Sequence, residues 1–334
     1  MAVSGSDRHP LVSVVIPTYG RPRLLTNAVE SVTEQSYENV EMLIVDDGSD
    51  ARVEEGLEDL SIPSTMDLRV YHHERNRGAN VARNTGIEAS RGEFVAFLDD
   101  DDYWRPEKLE RQVRAFQAAG DDVGVSFTGQ VYVDPSGEVT NVTRPTEHGD
   151  FTKQLVQGAH FGTFSTIMVR ASVFDRTGYL DEEFPCWQDR EWYFRLASHY
   201  DFVSVPELLT VRQFIDGPQI SDDYEAKRDQ AYPLMLQKHR ESAAACGPRY
   251  ERRFQGVLAR AVADHAISAG HYFEAIRYLV RSLQYYPTSP TTYAFLAVAL
   301  GGRYTHTLAR AGKRFVNRYQ NTTVVGDDGL LSSH

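Results

Sequence analysis

Apolar positions follow two rhythms along this chain. Over the first hundred residues, short unbroken apolar runs alternate with stretches of helical spacing. Val12 to Pro17 (VSVVIP) predicts a buried strand, and Arg21 to Ser36 then carries Leu24, Leu25, Ala28, Val29 and Val32 along one helix face. Val40 to Val45 is a second strand, Ala51 to Leu60 a short helix and Leu68 to His72 a third strand. Ala79 to Ser90 is a helix, and Glu93 to Leu98 a fourth strand. Strands separated by helices imply right-handed crossovers and a parallel sheet. Ligands bind outside the carboxyl ends of such strands. Here two of those ends are acidic: Asp46-Asp47-Gly48-Ser49 and Asp99-Asp100-Asp101-Asp102.

The rhythm changes after about residue 120. Val123 to Val133 and Phe164 to Val169 predict strands, with a turn at Asp134-Pro135-Ser136-Gly137 between them. Asp189 to Ser198 predicts a helix, and Phe202 to Phe214 returns to strand character. From Asp222 onward the pattern is helical. Ala261 to Leu283, followed by Pro287, resembles one tetratricopeptide-like unit, but a single imperfect unit favours an ordinary helical hairpin. The expected organisation is an α/β domain over 10–215, a helical region over 216–320 and a flexible tail over 321–334.

Composition narrows the function classes. The chain has 334 residues and a net charge of −12, which argues against a nucleic-acid binder with its basic face. Its two cysteines, Cys186 and Cys246, make no metal-binding pair and read as free thiols. Residues 1–10 have no apolar stretch of the kind that opens a signal peptide. No run approaches the ~20 apolar residues that span a bilayer. A cytoplasmic location is the expectation, with the cytoplasmic membrane face as a second possibility.

The acid run carries the clearest chemistry. Adjacent carboxylates repel unless solvated or neutralised. In an extended segment, Asp99 and Asp101 point to the same side. They could converge on one hard cation such as Mg²⁺, which is commonly shared with substrate phosphates. A solvated acidic turn ahead of the helix that Pro106 opens is the plainer alternative. At the second strand end, Asp46 and Asp47 could accept from a ribose or a base, or cap a turn. Arg83, in Ala82-Arg83-Asn84-Thr85-Gly86, suits phosphate oxygens, as Arg75 and Arg77 would if they are not merely solvated. A dehydrogenase would need a glycine-rich turn after the first strand; Thr18-Tyr19-Gly20-Arg21-Pro22 is not one, and no P-loop occurs.

The segment PTYGRPRLLTNAVESVTEQSYENVEMLIVDDGSD, followed by NRGANVARNTGIEASRGEFVAFLDDDDYW, resembles the family 2 glycosyltransferases. The match runs from about Val12 to Trp104 and continues more loosely to about Phe214. The resemblance implies an α/β fold of the GT-A (nucleotide-diphospho-sugar transferase) type with a helical C-terminal extension. It implies inverting sugar transfer from a nucleotide-sugar donor with Mg²⁺ or Mn²⁺. By the same resemblance Pro17, Tyr19 and Asp47 contact the nucleoside, Asp47 reading the base. Asp99 lies toward the ribose and Asp101 on the metal. Asp189, in Cys186-Trp187-Gln188-Asp189-Arg190-Glu191-Trp192, matches the catalytic base, although Gln188 stands where the family more often has Glu. Inversion needs a carboxylate to take the acceptor's proton, and Trp187, Trp192 and Tyr193 could surround it. Without the resemblance, an acidic first turn of a surface helix would serve equally.

No QXXRW motif is present, so addition of one sugar is expected rather than polymerisation. The acceptor is expected to be a glycan, with a lipid-linked surface glycan the first choice. A non-catalytic glycan- or nucleotide-binding protein on the same fold is the alternative. From His271 to Gln320 seven basic residues face one acid, Glu274, a net of +6 in a protein of −12. With Tyr293, Phe295, Leu296, Val298 and Leu300 just before the basic run, residues 291–320 suit a helix at a lipid interface. Packing against the acidic catalytic domain is the competing expectation.

Overall fold

The structure, a computed structural model, describes residues 9–159, 161–214, 223–309 and 311–312. The first half builds the expected crossovers. Strand β1 (Val12–Thr18), helix α1 (Pro22–Thr33), β2 (Val40–Asp46), β3 (Asp67–His72), α2 (Ala79–Ala89) and β4 (Phe94–Phe97) follow in order. These four strands lie parallel in the order β3-β2-β1-β4. Helices cover both faces, so β1 and β2 are buried along their whole length and read as unbroken apolar runs. The two faces still alternate. Val15, Leu43, Val95 and Phe97 join one core, while Val14, Met42 and Ala96 join the other. Helix α1 starts on Pro22, whose missing N–H costs nothing at a helix start. It buries Leu25, Ala28, Val29 and Val32. Helix α2 presses on β1 at Gly86, where any Cβ would lie 2.4 Å from Val15.

The sheet is wholly parallel only in this half. It continues from β4 through β8 (Ile167–Arg170), β6 (Val123–Val133), β9 (Asp201–Gln213) and β5 (Asp102–Trp104). The β4–β8, β8–β6 and β9–β5 pairs are antiparallel, and β6–β9 is parallel. The hairpin strand β7 (Val139–Thr143) hangs off β6. Helices α3 (Lys108–Ala118), α4 (Thr152–Val156), α5 (Val173–Thr177) and α6 (Gln188–Ala197) complete this part.

Three local expectations need correction. The helix expected over Ala51 to Leu60 is a single 3₁₀ turn, Val53–Gly56. Gly56 interrupts it, and four acids between Glu54 and Asp59 leave little apolar face to bury. The strand expected from Phe164 begins only at Ile167. Phe164–Thr166 form a 3₁₀ turn in which Ser165 accepts from the Asp99 N–H and the Trp104 indole. Finally, the end of the acid run is itself strand, since Asp102–Trp104 pair with Thr210–Arg212.

The C-terminal region is helical as expected: α7 (Tyr224–Ala226), a π-helical turn at Lys227–Ala231, α8 (Tyr232–Ala245), α9 (Pro248–Ser268), α10 (Tyr272–Tyr285) and α11 (Pro290–Leu300). Helices α9 and α10 form a helical hairpin. The region docks on α6 through His239 stacked on Phe194 at 5.0 Å and Phe254 edge-on to Phe194 at 5.4 Å. One hydrophobic cluster runs without a break from Val15 in β1 to Ala299 in α11. The tail placed at 321–334 lies outside the described residues.

Candidate active site

The acid run leaves β4 as a tight turn, closed by the Asp102 N–H donating to the Asp99 carbonyl at 3.0 Å. The four carboxylates go different ways. Asp100 is buried and accepts from the Thr18 hydroxyl at 2.7 Å, tying the acid turn to the end of β1. Asp101 faces the Arg21 guanidinium at 3.2 Å. Asp99 accepts from Arg83 at 2.5 Å. Asp102 is buried, pairs in register with Arg212 of β9, and has no hydrogen-bond partner on either carboxylate oxygen.

Asp99, Asp101 and Asp102 bring carboxylate oxygens within 4.8 Å of one another. The expected convergence of Asp99 and Asp101 is therefore present. It is made by a turn rather than by an extended i, i+2 pair, and Asp102 joins it as a third member. The four-Asp run was the available signal for Asp102; its pairing with β9 was not visible locally. Burial, then the Asp101 and Asp99 charges, hold the Asp102 carboxyl well above its usual range. Burial first and Asp99 second raise Asp101, and burial lifts Asp100 to about 6. Three converging oxygen donors, one with two orphaned oxygens, fit a hard divalent cation. A cation here would relieve the repulsion that now disfavours ionisation.

The second acidic strand end is arranged differently. Asp46 accepts from the Ser49 N–H and hydroxyl and faces His72, whose other nitrogen lies 2.9 Å from Glu54. Asp47 takes the Arg77 and Gly78 backbone N–H groups at 2.9 and 2.7 Å and faces His73 at 2.7 Å. These bonds fix the loop that leads into α2. Gly48, at φ +83, holds the loop so close to Arg75 that a Cβ would sit 2.4 Å from its backbone. The Arg75 and Arg77 side chains are exposed. Pro17 is buried near the end of β1, and Tyr19, just beyond that strand, is 53% exposed.

Asp189 sits in the first turn of α6 and accepts from the Arg190 N–H at 2.7 Å. The residue before this turn, Trp187, has φ 58, the one positive φ outside glycine among the described residues. Such a backbone costs roughly 1–3 kcal/mol and collects at functional sites. Two buried phenols feel the charge of Asp189 together with that of the acid cluster. Tyr193 is raised well above the usual phenol range by burial, then by the Asp189 and Asp99 charges. Tyr132 is raised by burial, with Asp102 and Asp189 adding to it against Arg212. Arg83 spans the two elements, since it donates to Asp99 and makes a long 3.5 Å contact with the Gln188 amide oxygen. Gln188 in turn donates to the Phe184 carbonyl. Of the aromatic surround expected for Asp189, Trp192 and Tyr193 are core residues; Trp192 packs edge-on to Phe97 at 5.5 Å. Trp187 alone of the three stays half-buried at the surface.

Residues 13–178 match the profile described as Glycosyl transferase family 2. By that domain the chain belongs to glycosyl transferase family 2. Among curated relatives, an uncharacterized glycosyltransferase of Rickettsia felis is 28% identical over 202 residues, 58% of this chain and 33% of its own length. The putative teichuronic acid biosynthesis glycosyltransferase TuaG of Bacillus subtilis is 39% identical over 122 residues, 36% of this chain and 46% of TuaG. The chain spans about a third of the length of three of the Rickettsia relatives it matches. Among solved structures, S. aureus TarS 1-349 in complex with UDP-GlcNAc is similar with a TM-score of 0.55 at 18% identity, covering 85% of this chain and 91% of that one. The mannosyltransferase PcManGT of Pyrobaculum calidifontis, in complex with GDP-Man and Mn²⁺, also gives 0.55 at 16% identity, covering 94% and 87%. These two likenesses are of fold. They agree with the GT-A architecture and helical C-terminal region described above.

Proposed function

We propose that this chain is a metal-dependent, inverting glycosyltransferase that moves one sugar from a nucleoside diphosphate sugar to a glycan acceptor. The observation that carries the reading is a pair of features tied together by Arg83: a three-carboxylate cluster with orphaned oxygens, and Asp189 next to Gln188, whose amide oxygen Arg83 reaches while it binds Asp99. Asp101, Asp102 and Asp99 would hold Mg²⁺ or Mn²⁺, which when bound neutralises charge developing on the leaving diphosphate. Pro17, Tyr19 and the loop ordered by Asp47 would form the nucleoside end. Arg83 would orient Asp99 toward the donor ribose. Asp189 would take the acceptor hydroxyl's proton as that oxygen attacks the anomeric carbon opposite the diphosphate. One C–O bond then forms as the sugar–phosphate C–O bond breaks, and the electron pair departs on the diphosphate. The nucleotide-sugars named with the two solved neighbours support the donor class, and the Mn²⁺ beside PcManGT supports the metal.

A panel of nucleotide sugars with Mn²⁺ or Mg²⁺ tests this reading. Asp189→Asn should bind donor normally and lose transfer by roughly 10²–10⁴. Full transfer by that variant would move the base to another carboxylate.

The acceptor in this reading is a lipid-linked surface glycan, met at the cytoplasmic face of the membrane. No described helix is long and apolar enough to cross a bilayer. Helix α10 exposes Phe273, Arg277, Val280 and Arg281 on one face. Of the apolar residues expected at the interface, Tyr293 and Leu300 are exposed at 52% and 67%, while Phe295, Leu296 and Val298 pack against the core; Tyr304 and Leu308 are exposed at 86% and 72%. Helices α10 and α11 pack on α9 and on each other. Exposed apolar and basic residues side by side suit an anionic interface. Arg310, Lys313, Arg314, Phe315, Arg318 and Tyr319 lie outside the described residues. Sedimentation with anionic vesicles that weakens with salt supports the contact; protein left in the supernatant at low salt removes it.

A further inference from the structure

Among the described residues, only two leave two buried side-chain atoms without a hydrogen-bond partner: Asp102 and Arg190. Asp102 belongs to the acid cluster, and a cation would complete it. Arg190 is its counterpart of opposite sign. Its Nε and Nη2 are buried with no acceptor, one residue from Asp189. Asp189 itself accepts from the Arg190 backbone N–H rather than from those nitrogens. Leaving those two nitrogens unmatched is costly, because their N–H groups have left water and gained nothing.

The surroundings supply further positive charge. The Arg190 guanidinium lies 5.7 Å from the centre of the Trp187 ring, and the Lys227 ammonium lies 5.8 Å from the same ring centre. Lys227 is buried and comes from the π-helical turn at the start of the C-terminal region. Such turns are rare and frequently mark functional positions. Burial first pulls Arg190 down to about 10; the Arg260 charge from α9 adds to this, and Asp189 opposes it. Among the described residues, acids near these groups include Asp189 beside Arg190, Asp223 near Cys186 and Asp264 beside Arg260.

We propose that Arg190 and Lys227, flanking Trp187, form a subsite for a negatively charged group on the acceptor, a phosphate or a carboxylate close to the attacking hydroxyl. The assignment to the acceptor rests on Asp189 being the base, since the subsite adjoins that residue. The donor side has cations of its own: Arg21 faces Asp101, Arg83 binds Asp99 and Arg212 opposes Asp102. A planar guanidinium with two parallel N–H groups suits an anion with two oxygens. An anion docked there would draw the acceptor hydroxyl toward Asp189, and a neutral glycan would lack that anchor.

Trp187 makes the subsite observable without a known acceptor, because Trp104 and Trp192 are buried in the core. The full chain is titrated with inorganic phosphate, and separately with acetate, at constant ionic strength while tryptophan emission is followed. A saturable change is expected. It should vanish in Trp187→Phe and weaken about tenfold or more in Arg190→Gln and Lys227→Gln. Arg190→Lys, which keeps the charge and loses the fork, should fall between; it also serves if Arg190→Gln does not fold. Phosphate binding tighter than acetate assigns a phosphorylated acceptor, and the reverse order a uronate-like one. The signal should persist with saturating UDP or GDP and Mn²⁺, and in Asp189→Asn. A response abolished by nucleoside diphosphate with Mn²⁺ gives the subsite to the donor and overturns the proposal. So does the absence of a saturable response, or wild-type binding by both Arg190 variants. If Asp189→Asn transfers sugar fully while phosphate still binds, the base assignment fails and the anion site stands.

Discussion

The two acidic strand ends look alike in sequence and are opposites in structure. At the end of β2, Asp46 and Asp47 are enclosed by donors: two backbone N–H groups and a histidine on Asp47, a serine and a histidine on Asp46. At the end of β4, Asp99, Asp101 and Asp102 crowd together, with Arg21 and Arg83 as partial partners and Asp102 unbonded. Carboxylate count does not separate acids that order a loop from acids that could take a cation. What separates them is whether the fold has already spent donors on the oxygens. Satisfied acids order a loop; unsatisfied ones keep a charge for something else to answer.

The strongest way to break this comparison is Asp101→Asn. It should lower metal-dependent donor binding by roughly 10²–10³, on the several kcal/mol a cation contributes, with folding intact. Calorimetric titration of a nucleotide sugar with Mn²⁺ is the measurement, and unchanged affinity would place the cation elsewhere. Stability sharpens the contrast. Asp47→Ala strands two loop N–H groups and should cost about 1–3 kcal/mol. Asp102→Asn, measured without divalent cation, should be neutral or stabilising, because it removes a carboxyl that burial already disfavours in its charged form. Urea unfolding of both variants decides; a destabilised Asp102→Asn would mean that Ser165 or Arg212 holds the ionised carboxylate in the absence of a cation.

The smallest effect concerns His72. The bond to Asp46, then the Glu54 contact, raises its pKa above 6.5, against burial. A raised histidine contributes stability that is full below the unfolded pKa and lost as pH rises through the folded one. His72→Gln should therefore destabilise at pH 6 and have little effect at pH 9. The half-exposed ring limits the difference to under about 1 kcal/mol. A thermal shift that ignores pH would remove His72 from the β2 acid network.

The legible parts of the molecule were those set by local pattern. The unbroken apolar runs of β1 and β2, the helical spacing of α1 and the acid run after β4 all carried their placement in a few consecutive residues. At the 3₁₀ turn Val53–Gly56, apolar spacing alone predicts helix, because it does not register a mid-segment glycine and crowded acids. Asp102 as a third member of the cluster was hidden because β5 is strand only through a partner more than a hundred residues away. The pairing of Arg190 with Lys227 around Trp187 was hidden likewise, since it exists only once the C-terminal helices close on α6. Gln188 was readable as a departure, but its link to Arg83 needed α2 and α6 in place.

The hydrophobic cluster that runs from β1 to α11 limits how the chain can be cut or exchanged. A boundary near residue 215 divides the sequence by rhythm, but Phe194, Met235, Phe254 and Leu258 share one interior across it. Glu191 of α6 is buried between Arg195 and His239 of α8. An isolated N-terminal fragment would expose that apolar wall and leave the glutamate with Arg195 as its one remaining side-chain partner here. Swapping the C-terminal helices for those of a relative would require the outward side of α6 to be exchanged with them. The N-terminal half and its helical cover therefore form one packing unit, and a change on one side of that interior calls for a matching change on the other.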